Sequence, residues 1–359
     1  MTDPVIEIAG AGPAGLVAAI TLAQAGREVV VHETHKEVGH RFGSQYQDFQ
    51  GLENWTTERD VFSLFEEQGL TTDFANLACS QGTAFDYKKR KYKINCKQPL
   101  FYMLERGPGP KTLDSALLRQ AKRLGVEVRF NSRLRVIENE GIMAAGPKAA
   151  DAISAGYHFS TEMDDGYWVI CDDNLAPKGY SYLLIMDGVG TVKSCIFDDF
   201  KQEKLYVKRT VEAFEKLVNL EMINPKFHGG IGNFYVPETA YAGRHPIIGE
   251  QAGFQDTLWG FGMRLVISSG QLAAQSLITG ENYDTLWHRD LKPQMEASIV
   301  NRCLFALLGN RGYGWFLRAQ SHRDVREELR KQYQSSMFKR ALHPWAKRRY
   351  LSKRKSLSK

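Results

Sequence analysis

Residues 5–33 read VIEIAGAGPAGLVAAITLAQAGREVVVHE, and their order decides the fold. Val5-Ile6-Glu7-Ile8-Ala9 is a short apolar run of the kind that forms a buried strand. Gly10-Ala11-Gly12-Pro13-Ala14-Gly15 follows at once with GxGxxG spacing. Leu16 to Ala25 carries no charge and consists mostly of good helix formers, so it predicts a buried helix, which Gly26 ends. Glu28 to His32 then reads as a second strand, closing on the acid Glu33.

Strand, tight glycine turn, helix, strand and acid, in that order, suit a dinucleotide. Gly10 permits the turn, Gly12 lets the backbone approach a diphosphate, and Gly15 lets the helix lie close to the strand. Pro13 and Ala14 open the helix, where free N–H groups and the positive dipole end favour an anion. Glu33, 18 residues beyond Gly15, is placed to accept hydrogen bonds from ribose hydroxyls.

A chain of 359 residues predicts about two domains at roughly 100–200 residues each. The composition, 43% hydrophobic and 25% charged, is that of a folded protein and excludes intrinsic disorder and a collagen-like chain. No apolar run is long enough to span a bilayer. The five cysteines are odd in number and form no CxxC pair, which predicts reduced thiols and, with no leader-like N-terminus, a cytoplasmic protein. The net charge of +6 is uneven: residues 339–359 hold nine Lys or Arg and no acid. Removing those nine charges leaves −3 for residues 1–338, which argues against a nucleic-acid-binding body. Trp345, Tyr350 and Leu351 interleave with the basic residues, so the tail is expected to offer peripheral attachment to an anionic membrane surface.

The N-terminal unit resembles that of the flavoproteins that include the geranylgeranyl reductases and the aromatic (para-hydroxybenzoate hydroxylase-like) hydroxylases. Lys36 to Trp55 is a long Gly- and aromatic-rich stretch, unlike the prompt βαβ continuation of a dehydrogenase, and Arg41 matches the family's cofactor-approaching basic residue. Arg106 before Thr112-Leu113-Asp114-Ser115-Ala116-Leu117-Leu118 is similar to a second family segment. The third is Arg244 to Gly253, followed by Trp259-Gly260-Phe261-Gly262-Met263 and Ser268-Ser269-Gly270-Gln271-Leu272-Ala273-Ala274. There the resemblance implies that Gly249 and an acid, Glu250 where the family has Asp, meet the cofactor's ribityl chain. It also implies that Gly260, Gly262 and Met263 lie under its ring. The implied cofactor is FAD.

The resemblance implies an α/β fold: a Rossmann-like FAD-binding domain with an inserted, mostly antiparallel substrate sheet and C-terminal helices. The expected division gives 1–75, 105–150 and 240–280 to the FAD domain, and 76–104 and 151–239 to the substrate domain. A helical region, 281–338, and the basic tail, 339–359, complete it. Within 156–198, four alternating runs with turn signals predict strands. Pro177-Lys178-Gly179-Tyr180-Ser181-Tyr182 partly matches the reductases' PxxYxWxFP wall, which makes Tyr180 and Tyr182 the candidate catalytic-site residues. Two family features are replaced: Ala145-Gly146-Pro147 stands where the hydroxylases carry Asp-Gly, and His40-Arg41-Phe42-Gly43 stands in the reductases' cysteine loop.

With no GxSxG, HExxH or CxxC, a flavin must carry the chemistry and no metal is expected. The first expectation is hydride transfer from flavin N5 to a C=C bond of an isoprenoid or other apolar small-molecule or lipid substrate, with electrons from NAD(P)H or a reduced protein carrier. The alternative is a monooxygenase acting through a flavin hydroperoxide, with a halogenase as a variant lacking its WxWxIP stretch. A non-catalytic, FAD-binding scaffold or redox sensor is the third.

Overall fold

A computed structural model describes residues 4–43, 48–147 and 150–357, with side chains to Arg349. The first elements are β1 (Ile6–Ala9), α1 (Pro13–Gln24), β2 (Val29–His32), β3 (Asp48–Glu53) and α2 (Val61–Glu67). Then come β4 (Asn76–Cys79), β5 (Gln81–Asp86), β6 (Lys91–Asn95), β7 (Phe101–Arg106), α3 (Leu113–Arg123), β8 (Glu127–Arg129) and β9 (Gly141–Met143). β10 (Ala152–Ser160), β11 (Gly166–Cys171), β12 (Tyr180–Met186), β13 (Val189–Ile196), α4 (Glu203–Val218) and β14 (Ile223–Gly232) form the middle. The chain continues through α5 (Met263–Thr279), α6 (Tyr283–Asp290), α7 (Lys292–Gln320), α8 (Val325–Tyr333) and α9 (Met337–Leu357).

Among the described residues, β8-β2-β1-β9 form a parallel sheet. α1 is apolar all round because it is buried all round, with Leu16 to Ile20 fully covered. Its neighbour α5 comes close because Gly270 has no side chain: a Cβ there would lie 2.3 Å from the Ala14 carbonyl oxygen. This contact explains the glycine at 270.

The second sheet, in the order β14-β10-β13-β12-β11-β5-β6, is antiparallel except where β5 meets β11. Alternation gives it two faces. Leu183, Ile185 and Val192 pack on Phe214 of α4, and the Thr210 hydroxyl lies 2.7 and 2.8 Å from those of Ser181 and Ser194. The opposite face carries Ser154, Tyr167, Tyr180, Tyr182, Lys193 and Cys195. Residues 76–104 serve two sheets: β5 and β6 join the large sheet, while β4 and β7 pair with β3.

β14 was not legible from INPKFHGGIG, whose proline and three glycines argue against a strand. It lies at a sheet edge, where these residues are tolerated. The basic stretch after residue 338 is the helix α9, seated on α7 with Ala346 fully buried and the Cys303 thiol 3.5 Å from its carbonyl. Lys359 lies outside the described residues. Among them, no cysteine forms a disulfide and no helix is long and apolar enough to cross a membrane.

Candidate active site

The glycine turn after β1 is shaped by close approach on one side and open space on the other. Gly10 has φ +116°, and a Cβ on it would lie 2.2 Å from the Ala144 carbonyl oxygen. A Cβ on Gly15 would lie 2.0 Å from the Gly10 carbonyl oxygen. Around Gly12, in contrast, nothing of the protein comes within 4 Å of such an atom. Gly12 starts α1 with no side-chain cap, Pro13 and Ala14 follow, and no acid sits in the first turn. The positive helix end therefore faces that opening with no acid in its own first turn. Glu33 flanks it, its two carboxylate oxygens accepting from the Ala11 N–H (3.0 Å) and the His35 N–H (2.9 Å).

The later glycine cluster comes close to the first turn of α1 at Gly249. Gly249, at φ +63°, would place a Cβ 3.1 Å from that of Ala14, and its N–H donates to Ser269 Oγ over 2.9 Å. Gly260 has φ +72°, and Gly262 opens α5 at Met263, again without a side-chain cap or an acid in the first turn. Arg41 and Glu250 pair with each other through two bonds of 2.8 and 3.3 Å. Arg106 is buried and bound twice to Asp114, at 2.7 and 2.9 Å. It also donates to Gln50, approaches Met263 Sδ at 3.1 Å and lies over the Phe42 ring. Gln50, Phe42 and Met263 line the central cavity, so Arg106 supports its wall from behind.

Open space at Gly12, two helix starts opened by glycines that offer no capping side chain, and an oriented carboxylate fit FAD. Gly10 to Gly15 would hold its diphosphate, Glu33 its ribose, and the segment from Gly249 to Met263 its flavin end.

Between that segment and the large sheet lies a cavity of about 690 Å³, bounded mainly by Phe49, Phe101, Tyr167, Trp259, Phe261 and Phe316. Tyr180 and Tyr182 face into it with ring centres 6.0 Å apart. The Tyr180 hydroxyl donates to the Trp259 carbonyl, and that of Tyr182 lies 3.0 Å from Ser154 Oγ. Burial holds both phenols well above their ordinary range, so they stay protonated.

One end of this cavity is charged. Lys193 Nζ lies 2.8 Å from each Asp48 oxygen and 3.3 Å from His228 Nδ1. His158 Nε2 lies 3.1 Å from Asp48 Oδ1. Burial alone would raise the Asp48 pKa, but Lys193 and His158 overcome it and hold the carboxyl well below its usual range. Burial and Lys193 lower that of His228 against the pull of Asp48. Ligand atoms of Asp48, His158 and His228 lie within 4.8 Å of one another, as for a metal, but the Lys193 ammonium occupies the cation's place.

Sequence reading missed this group. The strand register sets His228, Gly156, Lys193 and Tyr182 in one row across four strands. The available signal was a lysine on the same strand face as Cys195.

The FAD binding domain family matches residues 2–149. The digeranylgeranylglycerophospholipid reductase of Haloferax volcanii is 24% identical, over 92% of both chains. A geranylgeranyl bacteriochlorophyll reductase-like protein of Thermoplasma acidophilum superposes with a TM-score of 0.72 at 18% identity, over 97% of this chain and 98% of that one. A p-nitrophenol 4-monooxygenase of Pseudomonas putida gives 0.64 at 14% identity, over 92% and 97%. These two structures speak to the fold. With the cradle described above, the chain carries an FAD binding domain over residues 2–149 and is an FAD-dependent oxidoreductase, similar in sequence to a geranylgeranyl-lipid reductase over 92% of its length.

Proposed function

We propose that this protein saturates C=C bonds in an isoprenoid or comparably apolar chain. The observation that carries the reading is an aromatic-walled cavity lined by the Lys193 ammonium, which Asp48 holds and His228 touches. Reducing a double bond adds a hydride to one carbon and a proton to the other. Reduced FAD, when bound, is the source of hydride, its electrons coming from NAD(P)H or a reduced protein carrier. The proton falls to the chain. Lys193 gives it to the second carbon, and the resulting amine regains one through His228, whose side chain is 20% exposed. Asp48 holds the ammonium in place. Tyr180 and Tyr182 shape the wall along which the apolar chain lies.

The full-length likeness to an archaeal lipid reductase supports this reading. Anaerobic incubation of the reduced holoenzyme with a geranylgeranyl ether lipid, followed by mass spectrometry, is expected to show gain of one H2 per saturated bond. A product containing added oxygen, formed only in air, would replace the reading with the monooxygenase alternative.

A further inference from the structure

The outward face of α9 is apolar where a solvent-facing helix should be polar. Its inward side is settled: Ala346 is fully buried, Leu342 packs on the core, and the Lys339 ammonium donates to the Gln332 and Gln334 carbonyls. The side turned to solvent repeats at helical spacing as Met337, Phe338, Ala341, Pro344 and Trp345. Met337 is 88% exposed, the highest of any large apolar side chain among the described residues, with Phe338 at 64% and Trp345 at 41%. Arg340 and Arg348 flank this stripe and are exposed. On α7, the helix it packs on, Trp315 is 70% exposed and Leu307 and Leu308 are 53% exposed. Such exposure is costly in water and is ordinarily covered.

We propose that α9 docks flat on an anionic phospholipid bilayer, Met337, Phe338 and Trp345 entering the acyl boundary and the arginines meeting lipid phosphates. Two observations select this occupant. Residues 339–359 contain nine basic residues and no acid, so the segment's charge complements a negative surface. The stripe between them is Met, Phe, Pro and Trp, which suits hydrocarbon and interface. A nucleic acid would use the cations but leave that stripe in water. Docking goes beyond the catalytic reading and does not depend on it. It also has a topographic result: Phe316 and Leu317, beside Trp315 on α7, line the cavity, so a single helix connects the docked face to the site.

The test is co-sedimentation of the full-length holoenzyme with vesicles free of any polyprenyl lipid. Vesicles with a third phosphatidylglycerol are expected to bind it, phosphatidylcholine alone far less, and 0.5 M salt should weaken the attachment. Met337→Ser/Phe338→Ser/Trp345→Ser should lose binding by more than about tenfold. Arg340→Glu/Arg348→Glu should lose it by on the order of a hundredfold or more. Both variants change exposed residues, and an unaltered flavin spectrum would show that the fold is kept. Equal binding by the serine variant and the parent, no binding to anionic vesicles at low salt, or displacement of the vesicles by a short DNA duplex would each overturn the proposal.

Discussion

Glu53, at the end of β3, is fully buried, and its pH behaviour gives a sharp test of the structure. One carboxylate oxygen accepts from the Arg264 N–H at 3.3 Å, and the other has no hydrogen-bond partner. Burial raises its pKa from 4.5 to about 7, against the pull of Arg264. The folded pKa lies above the unfolded one, so the folded state holds the extra proton. Its stabilisation is full below the unfolded value and is lost as pH rises through about 7. At ~1.4 kcal/mol per unit, the shift amounts to about 3 kcal/mol, most of it between pH 5 and 8. Glu53→Gln keeps the shape of the protonated carboxyl and removes the titration. Urea unfolding of both holoproteins at several pH values, with FAD saturating, measures it. The difference between wild type and variant should move against the wild type by roughly 2 kcal/mol from pH 5 to 8. His228, whose pKa burial lowers, is present in both proteins, so its contribution cancels. A difference independent of pH, or one of opposite sign, would show that Glu53 is not buried as described.

Two glycines of the first turn should separate. Gly12→Ala meets only open space, so thermal stability without cofactor should hold while FAD affinity, read by flavin fluorescence quenching, falls roughly ten- to hundredfold. Gly10→Ala must place its Cβ against Ala144 at positive φ, so the apoprotein itself should lose about 1–3 kcal/mol. Lys193→Met strands the buried Asp48 carboxylate and should cost about 3–5 kcal/mol in urea unfolding. Adding Asp48→Asn should restore most of that stability. Reduction should nonetheless stay slower by about 10²–10⁴-fold in the double variant, and recovery of the rate would remove Lys193 from proton supply.

What could be read from sequence follows distance along the chain. Gly10 to Glu33 build a unit from near neighbours, with glycines that have specific backbone reasons, so the turn and its acid are legible. The antiparallel strands carrying Tyr180 and Lys193 announce themselves by alternation and turns. Pairing across the fold does not: Lys193 meets Asp48 over 145 positions and Arg41 meets Glu250 over 209. Local pattern contains nothing about either. Sequence reading assigned Arg41 and Glu250 separately to a cofactor, with no sign that they could reach each other. α9 was read from its charge. Its periodicity mattered more, because the apolar repeat faces outward, which only the packing of Ala346 on α7 reveals.

The Asp48–Lys193 pair has a consequence for movement. Asp48 belongs to the small sheet beside the cofactor cradle, while Lys193, His158 and His228 belong to the large sheet. Sliding one sheet over the other by even a few ångströms would leave a carboxylate and an ammonium unpaired in the interior, at a cost of several kcal/mol. The pair therefore acts as a rivet that forbids a clamshell motion between cofactor and substrate walls. Traffic into the cavity is left to its helical roof, where α7 breaks its geometry at Gly309 and Phe316 and Leu317 are what an entering chain would have to part.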